Sequence, residues 1–146
     1  MSVLSRKALL ALEAVIDVAQ HARPDPVQAR DITERQKVPQ RYLEQIMQAL
    51  VRADILRGVR GPRGGYRLAR ERRRITAGEI VSVINALEQQ DEKPTVRSQL
   101  GQITVAPLCD KLSDMVQAEL ATITVEDLCR EAPKPATTPH NEDFTI

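Results

Sequence analysis

Apolar residues recur at helical spacing near the start of the chain, where they predict a first helix over about residues 6–21. Ser5 precedes this pattern and is a favourable N-cap residue. The positions expected to face the core are Leu9, Leu12, Val15, Ile16 and Ala19. Pro24 and Pro26 cannot continue a helix, so the element ends before them. A short second helix fits residues 28–36.

The clearest amphipathic pattern lies over about residues 40–53, directly after Pro39, a residue that suits the start of a helix. One stripe is apolar and is expected to face the core: Leu43, Ile46, Met47, Leu50 and Val51. The opposite side is polar, with Arg41, Gln45, Gln48 and Arg52, and Glu44 lies at its border. Long polar side chains suit a solvated helix face, and they are also the types that reach DNA bases and phosphates. The pattern alone leaves both interpretations open.

A stretch rich in glycine and arginine, "GVRGPRGGYRLAR" at 58–70, follows this third helix. Two alternating segments, "LRGV" at 56–59 and "YRLAR" at 66–70, predict the strands of a β-hairpin around it. Glycine lets the tip turn tightly, and arginine suits phosphates and the narrow, negative minor groove. The order helix, short helix, turn, helix and hairpin is the winged helix-turn-helix arrangement. The predicted fold class is therefore mainly α, with a two-stranded β wing followed by a long helix.

The second half of the chain predicts further helices. Thr76 and Glu79 form a capping-box pattern before a fourth helix. Its apolar face is expected to be Ile80, Val81, Ile84 and Leu87. A long helix is predicted over about 107–122, and Thr124 is expected to cap the short segment "VEDLCRE" after it. The stripe of the long helix is Leu108, Leu112, Met115, Val116 and Leu120.

These elements suggest a simple domain organisation. A winged domain is expected over 1–87, and a loop over 88–105, where the sequence is polar and lacks strong periodicity. The long helix and the short segment after it occupy 106–131. Residues 132–146 are polar and rich in proline, so this tail is predicted to be disordered. A compact winged unit leaves the apolar stripe of the long helix with little to cover it, which favours a homodimer through that stripe.

The distribution of charge along the chain indicates what kind of partner the protein binds. The formal net charge is only +1, but residues 1–74 carry 16 Lys/Arg against 8 Asp/Glu, and residues 75–146 carry 5 against 12. Within 57–74 there are 8 Arg and one Glu. Such clustering favours binding to a polyanion over a merely solvated surface. No run of apolar residues is long enough for a membrane span and no signal-peptide pattern is present, so we expect a cytoplasmic protein.

Catalysis and metal binding find little support in the sequence. The glycine-rich stretch lacks the Lys-Ser/Thr ending of a phosphate-binding loop, and two histidines offer no catalytic set, so no enzyme is predicted. Cys109 and Cys129 lack CxxC spacing, and reduced, partly buried thiols are the favoured interpretation. The alternative is that Cys109, with Lys111 nearby, is a redox-sensitive thiol at a helix start.

Three segments in combination resemble one known family. "RYLEQIMQAL", "GVRGPRGGYRLAR" and "ITAGEIVSVI" look like the IscR-like (Rrf-two) family of bacterial winged-helix regulators, and "LSDMVQAELATITVEDL" resembles its dimerisation helix and the segment after it. The resemblance covers about residues 3–130. It implies a homodimeric transcription regulator whose third helix enters the major groove of double-stranded DNA and whose wing enters the minor groove.

The resemblance also implies a set of functional residues. Carried over by motif, they lie at the start of the first helix, in "YLEQ" and in the wing, and the polar face of the third helix and the wing tip extend the set. The predicted DNA-binding residues are Ser5, Arg6, Lys7, Gln40, Arg41, Tyr42, Glu44, Gln45, Gln48, Arg60, Arg63, Gly64 and Gly65. The predicted dimerisation residues are Leu108, Leu112, Met115, Val116 and Leu120.

The sequence departs from the family's cluster-binding members in one respect. Those relatives carry three cysteines between the helix after the wing and the dimerisation helix, whereas residues 87–108 of this chain contain none. Because iron–sulfur clusters are held by several thiolates, no cofactor is predicted and an iron–sulfur cluster is not expected. The effector therefore stays open between a thiol, a small molecule and a partner protein.

The predicted function is a dimeric, sequence-specific transcription regulator, most simply a repressor, on a palindromic operator. The alternative is a winged-helix protein-interaction module without specific DNA binding. The sequence alone leaves the operator and the target genes undetermined.

Overall fold

The computed structural model describes residues 3–91 and 98–135, with residues 90 and 91 described by their backbone alone. It is mainly helical and contains one two-stranded antiparallel sheet, which confirms the predicted fold class. In chain order the elements are α1 (Arg6–His21), α2 (Ala29–Gln36), α3 (Gln40–Arg52), β1 (Leu56–Val59), β2 (Gly65–Leu68), α4 (Ala77–Asp91), α5 (Ala106–Leu120) and α6 (Val125–Glu131). A 3-10 turn (Arg72–Arg74) precedes α4, and a π-helical segment (Gly101–Val105) leads into α5. No helix of the described part is long and apolar enough to cross a membrane.

Helix α1 lies at the centre of the fold and packs against α2, α3, α4 and α6. Its cap at Ser5 is as predicted, but its predicted inner face is partly wrong. The residues that are fully buried are Ala8, Ala11, Ala14, Val15 and Val18, whereas Leu9 is 39% exposed. Leu12 and Ile16 are only half-buried. Small side chains let several helices approach α1 closely, so alanines occupy positions that a count of large apolar residues gives to leucine.

Helix α3 follows its predicted pattern closely. Its four innermost apolar side chains are fully buried: Leu43, Ile46, Met47 and Leu50. The fifth predicted position, Val51, is 36% exposed and does not belong to the core. Val51 is the penultimate residue of α3. The chain turns away from the helix towards β1 just after it, at Asp54, whose φ is +60°.

The wing is a hairpin in which Leu56 pairs with Leu68 and Val59 with Gly65. The second strand is one residue earlier than predicted and ends at Leu68, because the chain then turns towards the 3-10 turn. On its other edge β2 is held to the chain before α2, where Tyr66 and Val27 exchange backbone hydrogen bonds of 2.7 and 3.0 Å. The Tyr66 side chain packs against the core at the base of the wing.

The predicted loop over 88–105 is wrong in both of its bounds. Helix α4 continues to Asp91, and helical structure resumes at Gln99 and runs through the π-helical segment into α5. The helical residues from 99 to 105 bury no apolar stripe in this chain, since Leu100 and Ile103 are 70% and 65% exposed. A helix without a buried stripe shows no hydrophobic periodicity, and it was the lack of periodicity that predicted a loop.

The C-terminal helices are tied to the winged unit at its fourth helix. The Gln117 side chain donates to the Gly78 carbonyl at 2.8 Å, and a Cβ on Gly78 would lie 3.1 Å from the Ala121 nitrogen, so α5 approaches α4 closely there. Thr124 and Asp127 form a capping box at the start of α6, as the cap at Thr124 predicted. The predicted disordered tail, 132–146, lies outside the described residues from residue 136 onward.

Candidate nucleic-acid interface

The polar residues predicted on α3 share one exposed face of that helix. Each of them is exposed, while the apolar stripe behind them is buried: Gln40, Arg41, Tyr42, Glu44, Gln45 and Gln48. Tyr42 is 40% exposed, which is unusual for one of only three aromatic residues in the chain. The face therefore presents amide, phenol, carboxylate and guanidinium groups together, a set that can both donate and accept hydrogen bonds.

The start of α1 contributes to the same surface through Lys7. Its ammonium lies 3.5 Å from the Gln45 Oε1 atom and 5.7 Å from the centre of the Tyr42 ring. This distance is within the range of a cation–π contact. A positive charge from α1 is thus placed beside the polar side chains of α3, two regions that are 35 or more residues apart in sequence.

Ser5 has a different environment from its neighbours Arg6 and Lys7. Its hydroxyl oxygen accepts a hydrogen bond from the Ala8 backbone at 3.1 Å, and its proton is donated to the Glu88 carboxylate in α4. The side chain is therefore occupied within the fold, whereas Arg6 is exposed. The predicted contact of Ser5 with DNA would have to use its backbone.

The tip of the wing is shaped by three glycines. Gly61 has a φ of +114°, a conformation that side chains rarely adopt. A Cβ on Gly64 would lie 2.3 Å from the Val59 oxygen, and a Cβ on Gly65 would lie 2.4 Å from the Val27 oxygen. A side chain at 64 or 65 would therefore force the neighbouring backbone to move, so these two glycines shape the wing.

The arginines of the wing fall into two groups that the sequence did not separate. Arg60 and Arg63 at the tip, and Arg57 on β1, are exposed, and in residues 3–91 and 98–135 none of them has an ion pair or a side-chain hydrogen bond. By contrast, Arg67 donates to the carbonyls of Ala22 and Pro24, at 3.0 Å for the former.

Two further arginines after β2 are paired with carboxylates of their own chain. Arg70 lies 3.3 Å from Glu79, and Arg72 lies 2.6 Å from Glu126. Part of the arginine-rich stretch therefore makes contacts within the chain, whereas the arginines at the tip of the wing face solvent.

The buried carboxylate of Asp17, which was not among the predicted functional residues, holds α2 in place. Asp17 on α1 is 1% exposed and accepts two hydrogen bonds from Arg35, at 2.9 and 2.8 Å, and one from Gln36 at 2.8 Å. The hydrogen bond that Arg35 donates to Asp17 raises the pKa of the Arg35 guanidinium. The signal was an aspartate inside an apolar run of α1, which is unusual unless the charge is paired.

The predicted dimerisation stripe on α5 is only partly free. Leu108, Leu112 and Met115 are 55%, 51% and 59% exposed. Val116 is half-buried, and Leu120 packs against the core of its own chain. The open apolar surface is therefore the first half of the predicted stripe together with the helical residues before it.

The two cysteines lie on different helices of the C-terminal part of the chain. Cys109 is exposed on α5, and Cys129 is half-buried on α6, where burial raises the pKa of its thiol although Arg72 opposes this. Among the described residues no three His, Cys, Asp or Glu side chains lie close enough to share a metal ion. Iron–sulfur clusters generally take several thiolates, and the two cysteines of this chain lie on different helices.

Known proteins resemble the chain over most of its length. A family described as "Iron-dependent Transcriptional regulator" (Rrf2) matches residues 4–131. The HTH-type transcriptional regulator IscR of Xenorhabdus nematophila is 32% identical over 132 residues, covering 87% of this chain and 79% of that protein. IscR of Vibrio atlanticus is 40% identical over 82 residues, covering 56% of this chain and 47% of that protein. The chain thus matches about half the length of this and the other Vibrio relatives.

Solved structures agree with the fold described above. IscR from T. potens aligns with a TM-score of 0.70 and 30% identity, covering 94% of this chain and 95% of that one. CymR, the global cysteine regulator of B. subtilis, aligns with a TM-score of 0.68 and 28% identity, covering 91% and 100%. The chain belongs to the Rrf2 family of winged-helix transcriptional regulators.

Proposed function

We propose that this protein is a dimeric, sequence-specific DNA-binding transcription regulator. The observation that carries the proposal is the combination of an exposed polar face on α3 with exposed arginines at the tip of the wing that have no ion pair within residues 3–91 and 98–135. Both belong to one small winged unit, and Lys7 adds a charge beside the α3 face. Guanidinium and ammonium groups that no carboxylate of the described residues neutralises are available to neutralise phosphates.

Within this proposal α3 enters the major groove and the wing enters the minor groove. Amide side chains such as Gln45 and Gln48 suit the hydrogen-bonding edge of adenine, and Arg41 suits guanine or a phosphate. Glu44 can accept from a cytosine amino group, and it repels phosphates, so it acts mainly in discrimination between sequences. Arg60 and Arg63 are drawn to a narrow, negative minor groove.

Dimerisation follows from the exposed apolar residues of α5. Pairing this helix with a second copy would bury Leu108, Leu112 and Met115 and give the two winged units a twofold relation. Two α3 helices related in this way match a palindromic operator whose half-sites are about one DNA turn or more apart. A dimer bound at a promoter would block access of the transcription machinery, which is why we propose repression.

We further propose that the regulator works without an iron–sulfur cluster. The support is the donor set: the chain has two cysteines, one on α5 and one on α6, and none in residues 87–108. The family's description as iron-dependent therefore does not extend to this chain in our proposal.

A footprint on DNA from upstream of the protein's own gene tests these proposals together. Protein purified without oxygen, with its iron content measured, should protect two patches related by a twofold axis while containing no iron. A protein-interaction module would protect no defined patch on that fragment. Protection that requires stoichiometric iron would contradict the cluster-free proposal and leave DNA binding intact.

A further inference from the structure

A cavity of about 550 Å³ lies on the side of the winged unit where the end of α1, strand β2, the 3-10 turn and α6 meet. Its volume is in the range of pockets that hold small molecules. Five arginines line it against two glutamates. None of the residues that we place at the DNA surface lines this cavity, so its charge needs a separate explanation.

Three of the five arginines in the cavity are already engaged. Arg67 donates to backbone carbonyls of the α1–α2 connection, and Arg70 and Arg72 are paired with Glu79 and Glu126. These contacts fix the wall of the cavity. They also neutralise Glu126, one of the two lining carboxylates, at a distance of 2.6 Å from Arg72.

The remaining charges in the cavity are two arginines and one glutamate. Arg23 and Arg73 are exposed, and in the described part of the chain neither guanidinium has a hydrogen bond or an ion pair. Glu71 is exposed and has no such partner there either. Arg67 keeps its positive charge, because its partners are uncharged backbone carbonyls, so the arginines without a carboxylate partner give this cavity a net positive charge that favours an anion. Guanidinium groups pair with carboxylates and phosphates through two parallel hydrogen bonds.

We propose that this cavity binds a small organic dianion, with its charged groups on Arg23 and Arg73. Ala22 and Leu68 also line the cavity, and their apolar side chains suit an organic ligand better than a bare ion. The chemistry shared by candidate ligands is a pair of carboxylates or a phosphate group. Glu71 also lines the cavity and is an unfavourable charge that limits the affinity for an anion.

The position of the cavity gives such a ligand a route to the wing. Arg67 and Leu68 belong to β2, and the Arg72–Glu126 pair joins the 3-10 turn to α6. A ligand on Arg23 and Arg73 therefore contacts elements on either side of the wing base. An effect of the ligand on DNA binding rests on the proposed function. Binding of the ligand in the cavity does not depend on that function.

Calorimetric titration of the full chain with succinate and, separately, with inorganic phosphate tests the site. We expect binding at low ionic strength that Arg23→Ala/Arg73→Ala weakens about tenfold or more, since a lost pair of charge-assisted hydrogen bonds costs at least about 1.4 kcal/mol. Glu71→Gln should tighten binding about threefold through loss of a repulsive charge. Arg30→Ala, on the exposed side of α2, is the matched control and should bind as the parent does.

The two probes distinguish the ligand's chemistry, because preference for succinate indicates a dicarboxylate and preference for phosphate indicates a phosphate ester. No heat with either probe would overturn the proposal. Binding that survives the double substitution, or that Glu71→Gln weakens, would also overturn it, because the anion would then lie elsewhere on the basic surface. Circular dichroism of each variant shows whether it is folded.

The effect of the bound anion on DNA binding is tested by a separate measurement. At matched ionic strength, succinate or phosphate should change the affinity for promoter DNA about threefold or more in the parent and not in the double variant. An unchanged affinity for DNA would overturn the proposed coupling between the cavity and the wing. Whether the cavity binds an anion would still be decided by calorimetry. Absence of DNA binding under every condition would instead contradict the proposed function.

Discussion

Gly65 has no room for a side chain, because a Cβ there would lie 2.4 Å from the Val27 oxygen. Gly58, on the neighbouring strand, has nothing within 4 Å of the same position. The two glycines therefore make a matched pair in one hairpin. The sequence showed a glycine-rich tip, but it did not show which glycines are sterically required, since that depends on the contact between β2 and the chain before α2.

Gly65→Ala should lower the free energy of unfolding by about 2–3 kcal/mol, because the backbone of the wing or of residue 27 must move to admit the methyl group. Gly58→Ala should change it by less than about 0.5 kcal/mol. Urea unfolding followed by circular dichroism measures both. Equal stability of the two variants would show that the wing does not pack against Val27 as described.

The buried Asp17 supports the position of α2 through Arg35 and Gln36. Arg35→Ala removes a side chain that is itself 36% exposed, yet it leaves a fully buried carboxylate without its cation. We expect a loss of about 3 kcal/mol in unfolding free energy, since breaking a buried pair from one side is strongly destabilising. Arg30→Ala on the same helix should have almost no effect.

A double-mutant cycle separates this pair from its surroundings. Asp17→Ala/Arg35→Ala should cost clearly less than the sum of the two single substitutions, because removal of both partners leaves no unpaired buried charge. Additive effects would mean that the two side chains act independently.

At the scale of elements, the predictions succeeded where a stripe of large apolar residues is buried in this chain. Helix α3 and the wing were predicted to within a residue or two because their patterns reflect packing against the core. The inner face of α1 was wrong in part, since its closest contacts are made by alanines. The loop over 88–105 was wrong because the π-helical segment described there buries no apolar stripe in the single chain.

The exposed half of α5 carries a prediction of its own. Leu112→Glu should shift the protein from dimer to monomer in sedimentation equilibrium at micromolar concentration, because a charge would enter a desolvated interface. The substitution should leave the single chain folded, since Leu112 is 51% exposed there. Ser113→Glu, on the same helix and away from the stripe, is the control and should stay dimeric. Persistence of the dimer in Leu112→Glu would exclude this stripe as the interface.

At the scale of the whole molecule, charge is divided between a basic first half and an acidic second half. The structure refines this division, because Arg67, Arg70 and Arg72 serve internal contacts and the wing tip keeps its charge for solvent. The sequence predicted which elements form the candidate DNA surface. The internal pairing of arginines was not, since their partners Glu79 and Glu126 come from other elements.

The salt dependence of DNA affinity tests the central claim most directly. The logarithm of the association constant for the promoter fragment should fall linearly with the logarithm of salt concentration, and Arg60→Ala should reduce the slope by about one per protomer. Arg130→Ala, which removes an exposed arginine from α6, should leave the slope unchanged. A slope near zero in the parent, or one that Arg60→Ala does not alter, would contradict the account in which the wing tip contacts DNA.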